Sequence, residues 1–367
     1  MTVVVKLGSS VVATDTGELR TDVLDSVCEQ VSALQRAGER IVMVTSGAIT
    51  RGAWLKGLSA RPKAMDELQA ASALGQGDLF RAYEERLTRH GTQAAQILLT
   101  RSDITRRTHY RNARQTIERL INWDVVPVIN ENDTTATDEI TFGDNDFLAA
   151  QVAVFLHARL LVLLTNTDGL YGQDPRVDPD AELIRTIQDP SQLAAIGIGE
   201  RPSHLGRGGM GSKVAAAEMA SQSNVAVVIC NGTVPGTLQT AVKDESIGTL
   251  FLPAPRRKGR QSVFKLWLKY ANQPAGAVLV DRGAADKLRE SGSSLLAVGV
   301  VGSEGRFEAG DVVDVRLAGS GELIGKGMVE FSAQDLDEVK GLKSGEVRDR
   351  FPGRAHEVIH RDRFVLV

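Results

Sequence analysis

The chain has 367 residues, a formal net charge of −3 and 42% hydrophobic residues, so it is long enough to bury a sizeable core in one or two domains. This charge balance excludes a strongly basic, nucleic-acid-binding chain. Its longest apolar stretch, residues 149–164, is interrupted by His157 and Arg159 and is too short to span a bilayer.

The amino-terminal residues and the cysteines together predict a cytoplasmic protein. The strand-like run VVV at residues 3–5 leaves little room for a signal or transit segment. Cys28 and Cys230 each lie among apolar neighbours without a partner motif. We therefore expect both thiols to be reduced and packed in a core.

The first strand and turn give a weak phosphate-binding signal. Residues 3–7 are predicted to form a strand, followed by a Gly-Ser-Ser turn and an amphipathic helix over residues 22–37. Small residues after a strand let backbone N–H groups converge on an anion, and Lys6 lies where the strand meets the turn. The alternative interpretation is an ordinary tight turn.

The second strand, residues 40–44, leads through Ser46 and Gly47 into a helix. Such a turn suits an anion at the helix N-terminus, where aligned peptide dipoles supply roughly half a positive charge. The alternative is a tight turn in which Ser46 caps the helix. Residues 64–90 are predicted to be helical, and residues 101–124 to contain a helix that is solvated or faces another subunit.

An acidic segment, residues 130–146, contains six carboxylates and neither Lys nor Arg. It follows the apolar strand 125–129, and open α/β sheets bind ligands where their strands end. Its candidate site residues are Asp133, Asp144 and Asp146. A solvated surface loop is the alternative interpretation.

The following residues complete a repeating pattern of strands and helices. A helix over residues 147–157 precedes an apolar strand at residues 160–164. This alternation predicts an α/β fold, with a mostly parallel sheet covered by helices on both faces. The stretch 205–213 matches neither the P-loop nor the dinucleotide pattern. Its four glycines before Lys213 still indicate a flexible cover over phosphates, with a cation at its base.

The pattern changes after residue 252. Residues 253–269 contain six Lys or Arg and no acid, which predicts a basic linker and domain entry. Short strands and Gly-rich turns then predict a small, mostly β domain. We therefore place domain boundaries at 1–252, 253–269 and 270–367.

Cations, glycine turns and carboxylates are predicted to meet at one edge of the sheet. These residues are Lys6, Lys213, Ser46, Gly47, Asp133, Asp144 and Asp146. Phosphoryl transfer depends mostly on positioning and charge neutralisation, for which these are the necessary groups. The combination predicts a kinase outside the P-loop class.

Several motifs resemble the glutamate 5-kinases of the amino acid kinase family. In chain order they are VVKLGSS, IVMVTSGAI, VVPVINENDTTATDEITFGDND, LLTNTDGLY and GRGGMGSK. The later segments VDRGAADKL and SGSSLLAVGVVGSEGRFEAGDVVDV resemble a PUA domain. The resemblance covers nearly the whole chain. It implies ATP- and Mg²⁺-dependent phosphorylation of the γ-carboxylate of L-glutamate, the first step of proline biosynthesis.

The resemblance also implies roles for individual residues. The catalytic positions are Lys6, Lys213, Asp144 and Asp146, with lysines that stabilise the phosphoryl group and aspartates that orient them. The glutamate-binding positions are Ser46, Asp133 and Asn145. The ATP-binding positions are Lys6, Gly8, Ser9, Thr165, Asn166, Gly206, Arg207, Gly208, Gly209, Met210, Gly211, Ser212 and Lys213. Direct metal ligands are not assigned.

One position departs from the pattern of the family. Some members have Thr-Asp where this chain has Thr165 and Asn166, with an acid at Asp168. An amide can hydrogen-bond a nucleotide but lacks a carboxylate's charge, so nucleotide preference is left open. Arg207 is an additional cation, predicted to be solvated. The resemblance further implies feedback inhibition by proline and a homodimer or homotetramer.

Two other functions are left open. One is a kinase for another small acid, such as aspartate or N-acetylglutamate. The other is RNA binding by the PUA-like domain with the basic residues 256–269, which would depend strongly on salt. The near charge balance of residues 277–367 argues against tight RNA binding. A histidine base is not required, because a carboxylate nucleophile is already ionised at pH 7.

Overall fold

The computed structural model describes residues 1–100, 103, 107–135, 145–175, 177–189, 193, 209–243, 247–254, 265, 268–269 and 274–367. It divides into two compact units, Met1–Lys258 and Gly259–Val367. Most of the predicted linker 253–269 lies outside the described residues, so the predicted boundaries of the linker stay predictions.

The first unit contains an eight-stranded sheet with helices between its strands. Its strands are β1 (Thr2–Leu7), β2 (Arg40–Val44), β3 (Gln93–Leu99), β4 (Val125–Glu131), β5 (Leu160–Thr165), β6 (Thr186–Ile187), β7 (Ala226–Asn231) and β8 (Thr249–Phe251). The helices described between them are α1 (Ser9–Val12), α2 (Thr21–Arg36), α3 (Ala48–Lys56), α4 (Met65–Arg89), α5 (Arg107–Asn122), α6 (Asn145–Phe155), α7 (Met210–Gln222) and α8 (Thr237–Lys243).

The strand order is β3-β4-β2-β1-β5-β7-β8-β6, and the six strands from β3 to β7 in that order run parallel. Strand β8 is antiparallel to β7 and parallel to β6. The prediction of a mostly parallel α/β sheet is therefore confirmed. Because parallel strands end at the same edge, the exits of β1, β2, β4, β5 and β7 come together there.

The two faces of β1 have different roles. Val3, Val5 and Leu7 point into a core that also contains residues of α2, α4 and α8. Val4 and Lys6 alternate with them on the opposite face, against which α6 packs. Because both faces are covered, the central strands read as continuous apolar runs. Lys6 is the one charged side chain of β1, and it is only 2% exposed.

Two predicted loops end earlier than expected. Asn145 and Asp146 open α6, and Met210 to Lys213 open α7, so these residues are helical and the loop interpretation was wrong for them. An acid in the first turn is favoured by the helix dipole, which explains why α6 begins at such polar residues. Strand β3, at the sheet edge, was missed because Gln and Ala dilute its apolar pattern.

The second unit is small and mostly β, as predicted. Its five-stranded sheet has the order β11-β9-β12-β13-β15, and β10 pairs with β14. These strands are β9 (Gly276–Val280), β10 (Leu295–Leu296), β11 (Val300–Gly305), β12 (Val312–Leu317), β13 (Leu323–Met328), β14 (Glu357–Ile359) and β15 (Phe364–Leu366). The α-helices described in this unit are α9 (Arg282–Ser291), α10 (Ala333–Val339) and α11 (Ser344–Arg350). Among all described helices, none is long and apolar enough to cross a membrane.

Candidate active site

A buried ion cluster lies where β1, α6 and α7 meet. Nζ of Lys6 is 2.5 Å from Oδ1 of Asp146, and Nζ of Lys213 is 3.1 Å from Oδ2. The Ser212 hydroxyl lies 3.2 Å from Oδ2. The three charged side chains are at most 7% exposed. One carboxylate therefore holds two ammonium groups that come from opposite ends of the unit's sequence.

Burying this cluster costs desolvation free energy. Two unit charges about 4 Å apart attract by about 1 kcal/mol in water and about 4 kcal/mol at an effective dielectric near 20. Desolvation opposes that gain, and apolar replacements of buried ion pairs are often neutral or stabilising. Stability alone is therefore a poor reason for the cluster. Strongly interacting buried ions are typical of catalytic sites.

The first turn after β1 lies tightly against β5. The backbone N–H of Gly8 donates to the Leu164 carbonyl at 3.1 Å. A Cβ on Gly8 would lie 3.2 Å from that oxygen and 4.0 Å from Nζ of Lys6. The predicted phosphate-binding residues Lys6 and Gly8 are thus neighbours in space. Ser9, the next residue, is exposed at the start of α1.

A chain of buried amides lies beside the ion cluster. The amide nitrogen of Asn145 donates to the backbone carbonyl of Thr45 and, at 2.6 Å, to Oδ1 of Asn130. Asn130 in turn donates from Nδ2 to Oε1 of Gln76 at 2.5 Å. Each of these side chains is less than a tenth exposed. Since Asn145 and Asp146 are consecutive, the amide chain and the ion cluster form one continuous site.

Ser46 does not cap the helix that follows it. Its hydroxyl donates to the Leu7 carbonyl at 3.0 Å, which ties the exit of β2 to the exit of β1. The residue before α3 is Gly47, which has a φ of +100° and no side chain to cap the helix. A positive φ favours glycine at this position. The capping interpretation of Ser46 was therefore wrong.

Asp133 lies after β4 and faces α4. Its Oδ2 accepts a hydrogen bond from the Ser72 hydroxyl at 2.9 Å. Burial raises the pKa of the Asp133 carboxyl above its ordinary value, while the Ser72 hydrogen bond and the nearby Arg61 guanidinium lower it by less. The carboxyl thus takes up a proton more readily than a solvated aspartate.

Two of the predicted nucleotide-contacting residues, Thr165 and Asn166, lie at the end of β5, next to the end of β7. Thr165 is buried and its carbonyl accepts from the backbone N–H of Gly232 at 2.8 Å, whereas Asn166 is exposed. The carboxylate of Asp168 accepts from Asn231 Nδ2 at 2.9 Å. These contacts join the exits of two strands. They leave the Asn166 side chain at the surface, where it is accessible to a ligand.

The sequence found much of this site. It named Lys6, Asp146, Lys213 and Ser212, which converge, and Ser46, Asn145 and Asp133, which line the neighbouring strand exits. Four predicted residues lie outside the described residues: Asp144, Gly206, Arg207 and Gly208. The functional roles given to all these residues stay predictions.

The sequence predicted no individual role for the polar residues that support the site from behind. They are Ser72, Gln76, Tyr83, Thr45 and Asn130. The available signal was positional: three of them lie on one helix, between apolar residues such as Leu68 and Leu79 that belong to buried faces. A polar residue at a buried helical position needs a partner, which is a reason to look for one.

Both parts of the chain are similar to known protein families. A model of the amino acid kinase family matches residues 1–231, and a PUA domain model matches residues 276–351. Curated proteins named glutamate 5-kinase, from Geobacter sp. (strain M21) and Cyanothece sp. (strain PCC 7425), are each 41% identical to the chain. The alignments cover 100% of this chain and 97% and 99% of those relatives.

A solved structure, a product complex of isopentenyl phosphate kinase from T. acidophilum, is 20% identical and has a TM-score of 0.47. The match covers 68% of this chain and all of that one. The family model covers more than half of the chain, and the two curated relatives align with its full length. The chain belongs to the amino acid kinase family and continues into a PUA domain.

Proposed function

We propose that this protein is a glutamate 5-kinase, which transfers the γ-phosphoryl group of ATP to the γ-carboxylate of L-glutamate in the first step of proline biosynthesis. The observation that carries the proposal is the buried Lys6–Asp146–Lys213 cluster beside the Asn145 amide. The full-length similarity to curated proteins named glutamate 5-kinase supports the choice of substrate.

In the proposed reaction, a γ-carboxylate oxygen attacks the γ-phosphorus of ATP. The bond from that phosphorus to the β–γ bridging oxygen breaks, ADP leaves with the electron pair, and an acyl phosphate forms. The attacking carboxylate is ionised at neutral pH, so no proton has to be removed from it. Catalysis then consists of alignment of the reactants and stabilisation of charge on the transferred group.

Lys6 and Lys213 supply that stabilisation. Both ammonium groups are held against Asp146, so they are positioned before the substrates bind and need little rearrangement during the reaction. In a buried site their attraction for phosphoryl oxygens is several times stronger than in water. Asp146 acts as a positioning residue, because both its oxygens face groups that it orients.

Glutamate recognition is assigned to the adjoining strand exits. Asp133 and the side-chain oxygen of Asn145 accept hydrogen bonds from the α-ammonium group, and backbone N–H groups at Ser46, whose hydroxyl is held by the Leu7 carbonyl, bind a carboxylate. Placing the α-ammonium at this end leaves the γ-carboxylate directed towards the ion cluster. The length of the substrate therefore decides whether its distal carboxylate reaches the lysines.

The nucleotide is assigned to the exits of β5 and β7 and to the start of α7, with Thr165, Asn166 and the residues 209–213. Mg²⁺ supplies further charge neutralisation when it is bound by phosphate oxygens. Within the described ranges, no group of three His, Cys, Asp or Glu side chains is arranged to hold a metal. We assign Mg²⁺ to the phosphates of the nucleotide, because phosphate oxygens are ligands that it prefers, and Asp144 to the network around it.

The direct test is ATP turnover with glutamate, aspartate or N-acetylglutamate in the presence of Mg²⁺ and hydroxylamine, which traps an acyl phosphate as its hydroxamate. We expect hydroxamate with glutamate and little with the other acids. Equal or greater product from aspartate or N-acetylglutamate would assign the chain another substrate. Folded protein that gives no product with any acid would overturn the kinase proposal.

Regulation and assembly are part of the proposal. Proline carries an ammonium and an α-carboxylate like glutamate, so we propose that it inhibits by binding at Asp133 and Ser46. Proline should then raise the apparent KM for glutamate without lowering kcat. We also propose a cytoplasmic homodimer or homotetramer, for which light scattering of the full chain gives the mass. A mass equal to one chain would exclude that assembly.

A further inference from the structure

One face of α4 contacts two of the strand exits that form the site, those of β2 and β4. Ser72 and Gln76 are one helical turn apart and contact Asp133 and Asn130, respectively. Further along the same helix, the Tyr83 hydroxyl lies 2.8 Å from Oγ1 of Thr45. All three helical side chains are at most 9% exposed. The helix therefore supports the site from behind without being part of it.

The direction of the amide chain can be deduced from one atom. The backbone oxygen of Thr45 can only accept, so the group of Asn145 that faces it must be the amide nitrogen. That nitrogen also faces Asn130, which must then present its oxygen. Asn130 consequently turns its own nitrogen to Gln76, and Gln76 must present Oε1. The orientations of the Asn145, Asn130 and Gln76 amides are therefore all determined by the Thr45 carbonyl.

Both amide hydrogens of Asn145 are used in hydrogen bonds, one to Thr45 and one to Asn130. The other polar atom of the Asn145 amide, Oδ1, can only accept, and we assign it to the ammonium group of the substrate. The orientation is stable only while Asn130 offers an oxygen, and Asn130 does so because Gln76 accepts from its nitrogen. Gln76 thus fixes, through one intermediate, which atom Asn145 presents to a substrate.

Helix α4 is well placed to act as a rigid support. A Cβ on Gly75 would lie 2.0 Å from the Ala48 carbonyl oxygen, and a Cβ on Gly52 would lie 1.7 Å from the Ala71 carbonyl oxygen. The backbones of α3 and α4 are therefore in direct contact. Because α3 follows Ser46 and Gly47, the two helices fix the spacing between the Ser46 end and the Asp133 end of the proposed pocket.

We propose that Ser72 and Gln76 are positioning residues for glutamate: Ser72 orients the Asp133 carboxylate, and Gln76 orients the Asn145 amide through Asn130. The inference rests on the proposed function. It assigns to one turn of α4 the control of KM for glutamate, separately from the nucleotide and the lysines. Neither residue touches the substrate in this assignment.

The first test compares Ser72→Ala with Ser72→Thr, using glutamate-dependent hydroxamate formation. We expect Ser72→Ala to raise KM for glutamate about tenfold, equivalent to about 1.4 kcal/mol, with KM for ATP within about twofold of wild type. Ser72→Thr keeps the hydroxyl and should restore most of the affinity. Thr88→Ala removes an exposed hydroxyl from the same helix and is the matched control.

A pH profile separates positioning from mere packing. The Ser72 hydroxyl lowers the pKa of Asp133, and Arg61 is the charged group that acts on it in the same direction. Without the hydroxyl, Asp133 takes up its proton at a higher pH. The increase in KM on acidification should therefore begin at higher pH in Ser72→Ala than in wild type or Thr88→Ala.

The second test replaces Gln76 by Leu or by Glu. Gln76→Leu removes the acceptor for Asn130 and should also raise KM for glutamate about tenfold. Gln76→Glu retains an oxygen at that position and should recover part of the loss. Thermal unfolding shows whether each variant folds. If Gln76→Leu does not fold, Ser72→Ala tests the role of Ser72, and the smaller rise in KM expected for Gln76→Glu tests the role of Gln76.

Wild-type activity distinguishes a failure of the proposed function from a failure of the positioning role of Ser72 and Gln76. If wild type forms no glutamyl hydroxamate, the proposed function fails. If wild type is active but folded Ser72→Ala and Gln76→Leu keep KM for glutamate within twofold, only the positioning role is wrong. Equal increases in KM for glutamate and ATP would also contradict it, because they would indicate general damage.

Discussion

The two units of this chain bury ionic groups in different ways. In the first unit, Lys6 and Lys213 approach Asp146 from a strand and a helix that are distant in sequence. In the second, buried Asp314 pairs at 2.8 Å with Arg316, two residues along the same strand. Convergence from distant elements requires the fold to be correct in several places at once, whereas a local pair forms with its own strand.

The surroundings of the two carboxylates differ as well. Lys326 lies opposite Asp314 in the strand register, where burial lowers the pKa of the lysine and Asp314 raises it by less. Arg316 is 41% exposed, so water screens its charge. Both partners of Asp146 are instead withdrawn from water. The comparison indicates that a single buried charge does not identify a functional site. Several charges that converge at the edge of a sheet are a better indicator.

The largest expected effect comes from Asp146→Asn. It leaves two buried ammonium groups without their shared carboxylate, which costs about 3–5 kcal/mol of folding free energy. The lysines also lose their alignment, so we expect kcat to fall about 10²- to 10³-fold. Thermal unfolding and hydroxamate kinetics measure both effects. The exposed Asp15→Asn is the matched control, and a variant as active as this control would remove Asp146 from the site.

Lys213→Ala also tests the role of the ion cluster in catalysis, and we expect it to affect folding less than Asp146→Asn does. It removes one of two cations from the proposed phosphoryl site, and we expect kcat to fall about 10²-fold while the protein remains folded. Lys56→Ala removes an exposed lysine from the end of α3 and should match wild type. Similar activity in the two variants would show that the buried lysine is not used in catalysis.

The pH dependence of glutamate binding tests the role of Asp133. Its pKa is raised, so the carboxylate is protonated at a higher pH than an ordinary aspartate. As the pH falls through that pKa, Asp133 loses the charge that holds the α-ammonium, and KM for glutamate should rise. Steady-state kinetics with saturating ATP, from pH 8 down to the lowest pH at which the protein stays folded, provide the measurement. A KM that is flat over this range would contradict the assignment.

The smallest expected effect is that of Asp314→Asn. It breaks a local, partly solvated ion pair, which we expect to cost about 1 kcal/mol of stability in the second unit. Because Asp314 belongs to a local pair, kcat and both KM values should stay within about twofold of wild type. A loss of activity comparable to that of Asp146→Asn would break the distinction between convergent and local charges.

The sequence predicted the residues that follow strands better than those that support them. Lys6, Ser46 and Asp133 were found because strand exits in parallel sheets meet at one edge, so a strand pattern already locates them. Ser72 and Gln76 were not found, because helical periodicity treats polar residues as solvent-facing. Their partners lie 61 and 54 residues away in sequence, which local patterns do not encode.

Element ends were also difficult to predict. Asn145 and Asp146 were placed in a loop because they are polar, although an acid in the first turn is a recognised start of a helix. The edge strand β3 has the sequence QAAQILL, whose small and polar residues reflect a partly exposed position. Central strands such as β5, buried along their whole length, gave unambiguous apolar runs.

The most direct test of the central claim follows an oxygen atom. Glutamate labelled with oxygen-18 in its γ-carboxylate is incubated with ATP, Mg²⁺, hydroxylamine and the full chain, and the released phosphate is analysed by phosphorus NMR. Attack by the γ-carboxylate predicts that each phosphate released with glutamyl hydroxamate contains a single oxygen-18 atom. Unlabelled phosphate would show that the phosphoryl group went elsewhere, and would contradict the account.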